Sequence, residues 1–338
     1  MNTQMALSDT IGIDIGGANT KVASASGKAR SQYLPLWRDN DLAGELRRIR
    51  EDFQPKHVGV VITGELADAF TSKKEGICSI VSSVDSVFAR PCYLNVRGQL
   101  TRRVAEDEAL LYAASNWTAS AAFVAQRVTD CIFVDMGSTT CDVIPVRDGK
   151  PVAMTTDFER LRERELIYTG ALRTNIATIL RLVTLNGENY RLASELFAIT
   201  ADAHRILGNI RAEDYSCDTP DARPRDLEAC YRRIARVLLC DVRELGWENA
   251  RDIARQVERT QIDELAQALA FQSRKHDLNA VVGAGLGEFL IAKAASKVRL
   301  ECRVLSQQYG KELSKVFPAF AVANLAHDAF ERQSTYYL

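Results

Sequence analysis

Histidine is scarce in this sequence, with four among 338 residues. They are scattered, so no imidazole-rich metal centre is expected. The eight cysteines (Cys78, Cys92, Cys131, Cys141, Cys217, Cys230, Cys240 and Cys302) include no CxxC pair. That argues against a closed zinc site and favours buried, reduced thiols in a cytosolic protein. Neither sign of charge is in surplus: Lys+Arg is 43, Asp+Glu is 44 and the net charge is -1. The electrostatic footprint of a nucleic-acid binder is therefore missing, as is an acidic tail. No apolar run is long enough to span a bilayer. Met1 to Thr10 lacks the regions of a signal peptide. A cytoplasmic protein without membrane or nucleic-acid partners is the expectation, with self-association left open. What remains is an ordinary globular composition, 46% hydrophobic and 26% charged, long enough for two domains.

Two familiar phosphate motifs are also missing at the glycine-rich start. Asp14 to Lys21 reads DIGGANTK. A P-loop would place its lysine before a Ser or Thr and open a helix. Here Lys21 follows Thr20, and the extended pattern Lys21 to Ala25 comes next. The GxGxxG dinucleotide fingerprint fails for the same reason. What fits is a strand, Ile11, Ile13 and Ile15 alternating with Gly12 and Asp14, that turns and returns as a second strand. Gly16 and Gly17 allow positive φ and let backbone N–H groups approach phosphate oxygens. Asn19, Thr20 and Lys21 add side-chain donors, and Asp14 at the strand end can hold Mg²⁺ directly or through water. An ordinary glycine hairpin would look the same.

The pattern returns. Ile132-Phe133-Val134-Asp135 leads into Met136-Gly137-Ser138-Thr139-Thr140, and Cys141 to Val146 resumes a strand. A repeat on this scale points to duplicated domains. A third glycine turn, Gly283-Ala284-Gly285-Leu286-Gly287, lies between an apolar strand and a helix. A Rossmann reading of it is weak, because Glu288 stands where the third fingerprint glycine belongs. Between these landmarks the spacing predicts a helix over Asp41 to Phe53 and a strand over Val58 to Ile62. A short strand is expected over Pro91 to Val96, then a long Ala-rich helix from about Arg102 to Gln126. A mostly helical stretch runs from about Gly170 to His276, interrupted by an exposed polar loop, Glu213 to Asp226. A last strand is expected over Val298 to Val304 and a closing helix over Val316 to Arg332. The domain reading is 1–115 for the first half, with the closing helix free to pack back onto it. Residues 116–338 form the second half, with an insertion at about 170–276.

Further candidates carry chemistry less specifically. Glu65 follows an apolar strand and Gly64, where a base can stand or where an acid simply favours a helix start. Asp68 is a neighbouring carboxylate. Lys74, beside Lys73 and Glu75-Gly76, can contact phosphate or be a solvated basic turn. Arg173, after Tyr168-Thr169-Gly170, can clamp an anion bidentately, or be a surface residue of a helix. Asp202, His204 and Asp214 match no standard metal spacing, and a substrate-capping loop suits them better. Tyr112 and Trp117, placed on the long helix, suit the core better than a stacking platform.

IGIDIGGANTKVA, FVDMGSTTCDVIPV and VVGAGLG, in that order, resemble the two phosphate motifs and the adenosine motif of the actin/sugar-kinase/Hsp70 superfamily. That resemblance implies an α/β fold of duplicated actin-like (ribonuclease H-like) domains, each a five-stranded mixed sheet, with ligand in an interdomain cleft. It also implies Mg²⁺ on Asp14 and Asp135. Gly16, Gly17, Asn19, Thr20, Lys21, Gly137, Ser138, Thr139, Thr140, Gly283, Gly285 and Gly287 would bind phosphate or nucleotide, ATP or ADP in the usual case. DIGGANTK, TGELADAF with SKKEG, Asn116-Trp117, VDMGSTTCD and YTGALRTN further resemble the hydantoinase-like family linked to tetrahydromethanopterin-dependent one-carbon metabolism. This implies a transferase that condenses an aminomethylfuran-methyl diphosphate with a phenolic acceptor and releases pyrophosphate. The acceptor would be glutamyl-tyramine or a tyrosine-like phenol. Glu65, Asp14 and Asp135 would then be catalytic, and Asp68, Lys74 and Arg173 would contact substrate. An ATP-dependent kinase and a nucleotide-sensing regulatory module remain the alternatives.

Overall fold

The computed structural model describes residues 9–38 and 41–335. The expectation placed on Met1 to Thr10 falls almost wholly outside them. The alternating isoleucines form strand β1 (Thr10–Gly16), with Ile11, Ile13 and Ile15 fully buried. β1 turns into β2 (Asn19–Ser24), which pairs with it antiparallel, and β3 (Ala29–Tyr33) extends the sheet. On its other side β1 pairs in parallel with β4 (His57–Thr63), followed by β5 (Cys92–Leu94) and β6 (Leu100–Thr101). The order is β3-β2-β1-β4-β5-β6.

The two faces of this sheet are covered differently. The odd-numbered residues of β1 join Leu46 and Ile49 of the helix Leu42–Phe53, and Ile77 and Ile80 of the helix Lys73–Asp85, in one apolar cluster. On the opposite face, Gly12 and Gly59 are register partners. A Cβ on Gly12 would lie 2.0 Å from the Ala319 carbonyl oxygen, and one on Gly59 would lie 2.9 Å from that of Val322. The missing side chains let the last helix, Phe317–Thr335, lie flat on the sheet. It is in this region that Asp14 stands, on the same face of β1 as Gly12.

A second sheet repeats the plan. β7 (Cys131–Met136) and β8 (Cys141–Arg147) form the hairpin; short strands β9 (Lys150–Pro151) and β10 (Leu166–Ile167) both pair with β8. A separate hairpin, β11 (Leu182–Leu185) and β12 (Glu188–Arg191), follows. β13 (Ala280–Ala284) and β14 (Glu301–Val304) run parallel and complete the order β10-β8-β7-β13-β14. In each sheet the glycine-turn hairpin lies beside parallel strands. This is a duplicated α/β architecture, as the repeated Asp-led hairpins imply, with six strands in each sheet where the resemblance implied five. The chain divides into two compact units. One comprises Met1–Phe133, Ile144–Glu163 and Leu305–Leu338; the other comprises Val134–Val143 and Arg164–Val304. Among the described residues no helix is long and apolar enough to cross a membrane. All eight cysteines are unbridged.

Three sequence expectations are corrected. The long helix over Arg102 to Gln126 is instead a 3-10 turn, Ala109–Tyr112, and a helix, Asn116–Ala125. Ala114 at φ 48° breaks it, and Ser115 is tied to β4 through its own N–H and through its Oγ, which accepts from the Ile62 N–H. Tyr112 thus sits in the 3-10 turn and Trp117 in the helix, both buried. The stretch from Gly170 to His276 begins without helix and contains β11–β12. Asn186-Gly187, both with positive φ (52° and 85°), forms the two-residue turn between alternating strands that favours such a hairpin. The loop at Glu213 to Asp226 is irregular as expected, yet it is anchored: Tyr215 is fully buried and its hydroxyl donates to Asp202 at 3.0 Å.

Candidate functional site

In the first unit the polar residues gather at the ends of β1 and β4. Asp14 is 3% exposed; Thr63 Oγ1 donates to its Oδ1 at 3.2 Å, and Lys21 Nζ lies 3.5 Å from its Oδ2. Both partners follow from register, since Lys21 opposes Asp14 on β2 and β4 brings Thr63 alongside Gly16. Burial pushes the Asp14 carboxyl above its ordinary range, with Lys21 and then Thr63 opposing. Gly64 packs on the first turn: a Cβ there would lie 3.0 Å from the Gly16 carbonyl carbon. The turn is therefore seated beside the residue that precedes Glu65.

Glu65 is a second perturbed carboxylate in this group. It is 2% exposed, and its Oε2 has no hydrogen-bond partner among the described residues. Burial raises its pKa to about 7. The negative charge of Asp157 adds to the rise; the N–H groups of Glu65 and Ala114 and the charge of Lys73 oppose it. The break at Ala114, invisible to helical periodicity, is what delivers its amide to this carboxylate. A buried acid poised near neutrality is suited to take up and give back a proton. Gly76 closes the other side, since a Cβ on it would meet the Glu65 carbonyl oxygen at 2.4 Å.

The glycines of the first turn act through space rather than dihedral freedom. Neither Gly16 nor Gly17 uses the positive φ that glycine allows. A Cβ on Gly16 would stand 2.9 Å from the Asn19 carbonyl oxygen, whereas Gly17 has no atom within 4 Å. Asn19 is half-buried and available. Thr20 is 1% exposed, its hydroxyl without a partner among the described residues, so it is not an accessible donor. Asp68 lies exposed in the turn after Glu65. Lys74 is half-exposed and ion-paired to Glu106 at 2.8 Å, beside a surface groove of about 720 Å³ along the helix Lys73–Asp85.

The second unit presents different chemistry. Gly137, Ser138, Thr139 and Thr140 are all half-buried, and the Gly137 N–H donates to the Thr140 carbonyl at 3.0 Å to close the turn. Arg173 is not on a helix as expected. It lies in the bend after Gly170, its N–H donating to the Ser138 carbonyl at 2.8 Å and its Nη1 to Thr139 Oγ1 at 3.3 Å. The N–H groups of Ala171 and Leu172 also bond the carbonyls of Gly137 and Ser138. YTGALRTN and the second turn are thus one structure, presenting two hydroxyls and a guanidinium. Gly170 must be glycine here, because a Cβ would lie 2.4 Å from the Ser138 carbonyl carbon.

Asp135, 8% exposed, ends β7. The third turn presses on it: at Gly285 (φ 95°) a Cβ would lie 2.5 Å from Asp135 Oδ1, and at Gly287 one would meet the Met136 side chain at 2.4 Å. Gly283 backs onto Ile291, at 3.0 Å by the same measure. Gly285 and Gly287 are needed for packing against Asp135-Met136, and Gly283 for packing against Ile291. Asp202 and His204 are structural. Asp202 is fully buried and takes a 2.8 Å ion pair from Arg233, and His204 is fully buried between Gln261 and Asn209. Asp214 accepts from Arg211 at the surface. Sequence reasoning missed Thr63, Ala114 and Gln261. A strand-end Thr beside the hairpin aspartate was a readable signal for the first, but the others carried none.

Residues 56–329 match the model of the hydantoinase/oxoprolinase family. The chain belongs to this family. This hydantoinase/oxoprolinase-family chain is 38% identical over 328 residues to a protein of Methanocaldococcus jannaschii, covering 95% of this chain and 98% of that one. The relative is named (4-{4-[2-(gamma-L-glutamylamino)ethyl]phenoxymethyl}furan-2-yl)methanamine synthase. A protein of the same name from Methanococcus vannielii is 38% identical over 210 residues, covering 61% of this chain and 95% of that one. Among solved structures, a ROK-family glucokinase from Streptomyces griseus with glucose and AMPPNP is similar at 14% identity, with TM-score 0.48 and coverage of 94% and 99%. The activator of 2-hydroxyisocaproyl-CoA dehydratase from Clostridium difficile is similar at 11% identity, with TM-score 0.48 and coverage of 97% of each chain.

Proposed function

We propose that this enzyme condenses an aminomethylfuran-methyl diphosphate with the phenol of a glutamyl-tyramine-type acceptor, giving an aryl furanylmethyl ether and pyrophosphate. The observation that carries this reading is the 38% identity, across nearly the full length of both chains, to the synthase whose name contains that phenoxymethyl-furan ether. The buried acid Glu65 adds to it. In the reaction the C–O bond to the diphosphate breaks and a bond forms between that carbon and the phenol oxygen. The phenol proton passes to Glu65, and pyrophosphate leaves with the bonding electron pair. Ser138, Thr139 and Arg173 would bind the diphosphate oxygens, two hydroxyls and a guanidinium being suited to a polyanion.

The donor set can also be tested against Mg²⁺. Among the described residues no three His, Cys, Asp or Glu side chains cluster as a metal cage. Mg²⁺ usually takes one or two carboxylates and completes its shell with water and substrate phosphate, so the hard oxygens of Asp14 in one unit, or of Asp135 in the other, each fit as a protein ligand. Bound there with substrate, the ion would offset charge on the departing pyrophosphate. Lys21, now paired with Asp14, would be released toward phosphate.

Purified enzyme incubated with the furan diphosphate, the phenolic acceptor and Mg²⁺ should release pyrophosphate and form the ether in equal amounts, as read by phosphate assay and mass spectrometry. Absence of ether, with ADP formed from ATP in the presence of an acceptor alcohol, would replace this reading with a kinase.

A further inference from the structure

The second turn is held in place by a directional hydrogen-bond chain that begins well away from it. Asn209 Nδ2 donates to Glu258 Oε1 at 2.7 Å and to His204 Nδ1 at 3.2 Å. An Nδ1 that accepts requires the imidazole proton on Nε2. Nε2 lies 2.9 Å from Gln261 Oε1, so that proton is donated to the amide oxygen. The amide of Gln261 is thereby oriented, and its Nε2 donates to Thr169 Oγ1 at 2.9 Å and to the Gly170 carbonyl at 3.0 Å. Thr200 Oγ1 donates to the same carbonyl at 2.9 Å, and Thr174 Oγ1 accepts from the Gly170 N–H at 2.9 Å. Gly170 is the residue whose backbone abuts Ser138 and Thr139.

His204, Gln261, Thr169 and Thr200 are all buried. Every donor in the chain meets an acceptor, and reversing either amide or the imidazole tautomer would set donor against donor or acceptor against acceptor. Burial also drives the His204 pKa down to about 4, with Gln261 and Glu258 opposing and Lys293 assisting. The ring is therefore neutral, as this polarity demands. An apolar core would have stabilised the fold without such a requirement.

We infer that Gln261, its amide oriented by His204 and Asn209, is a positioning residue that fixes the Thr169–Arg173 bend and so the placement of Ser138, Thr139 and Arg173 against a diphosphate. The inference rests on the proposed function of that turn as an anion cradle. Gln261 touches no reacting group in it. Its effect should appear in binding of the diphosphate and not of the phenolic acceptor.

The test uses the full chain and inorganic pyrophosphate with Mg²⁺ as the probe, followed by calorimetry, together with separate KM values for the two substrates. Gln261→Met keeps the side-chain length and removes the donors. It should weaken pyrophosphate binding and raise KM for the furan diphosphate by about tenfold or more, with KM for the acceptor unchanged within about twofold. Asn209→Ala, at the half-exposed end of the chain, releases the tautomer without touching the core. It should shift the same two quantities in the same direction by about two- to fivefold. If wild type binds pyrophosphate and both variants bind it equally well, the positioning role is overturned while the cradle stands. A purely structural role would lower the active fraction and leave both KM values in place, which also overturns it. Wild type that binds no pyrophosphate would overturn the cradle and this inference together.

Discussion

The two glycine turns share a strand plan and differ in chemistry. The first lies beside buried carboxylates, Asp14 and Glu65, both pushed toward protonation by burial. The second is half-exposed and carries two hydroxyls, Ser138 and Thr139, with the Arg173 guanidinium bonded to that of Thr139. A duplicated fold has thus kept its hairpins and changed their side chains, with carboxylates at one and hydroxyls beside a guanidinium at the other. Under the proposed function the first suits a proton and a hard cation, the second a polyanion. A phosphate cradle recognised from glycine spacing alone says nothing about this division. It depends on which side chains the register and neighbouring loops bring to each turn.

The largest expected effect comes from removing the proposed proton acceptor. Glu65→Gln should lower kcat by about 10³-fold, within the range for a general base, with pyrophosphate binding at the second turn unchanged. It should also sharpen the comparison through stability. Glu65 has a folded-state pKa of about 7 against an ordinary value of 4.5, so the folded protein holds its proton more tightly. Stability from this group is fully present below pH 4.5 and is lost as pH rises through 7. At pH 8 the Gln variant should therefore melt higher than wild type, with no such gain at pH 4. An equal shift at both pH values would remove burial as the cause of the perturbed pKa.

Next in size is Asp14→Asn, expected to cost about a hundredfold in Mg²⁺-dependent turnover while circular dichroism and melting stay close to wild type. Arg173→Ala should raise KM for the diphosphate about ten- to fiftyfold with a smaller change in kcat, and Arg173→Lys should restore only part of it. If Arg173→Ala instead lowered kcat alone, the division of labour between the turns would be broken. A backbone comparison gives the smallest effect in one turn and a large one in the other. Gly17→Ala should change stability by less than about 0.5 kcal/mol, because open space surrounds it. Gly285→Ala should cost about 2 kcal/mol or more, since φ is 95° and its Cβ would fall 2.4 Å from the Met136 carbonyl oxygen.

Much of the fold was legible because it is written in period and repetition. Ile11, Ile13 and Ile15 announce a strand, and the echo at Asp135 announces its copy. The helices at Leu42, Glu288 and Phe317 begin within a residue of their expected starts. The break at Ala114 was not legible, because an alanine in the left-handed region carries no signal in composition. Asn186-Gly187 was legible and was passed over within a stretch read as helical. Of the site, Asp14, Glu65 and Ser138 through Thr140 could be named from their place at strand ends. Arg173 could be named, but its partnership with Thr139 could not, because the bend that carries it is fixed by Gln261, 91 positions from Gly170. Glycines were recognised more readily than explained. Gly12, Gly59, Gly285 and Gly287 serve contacts between elements, which no local pattern shows.

The central claim is that a buried carboxylate near neutral pKa, Glu65, takes the phenol proton. The pH dependence of kcat/KM for the acceptor tests it most directly. Wild type should rise tenfold per pH unit and level off near pH 7, where Glu65 is ionised. Glu65→Gln should show no break there. A wild-type profile that rises without a break until the phenol itself ionises, near pH 10, or a break near 7 that survives in Glu65→Gln, would contradict the account.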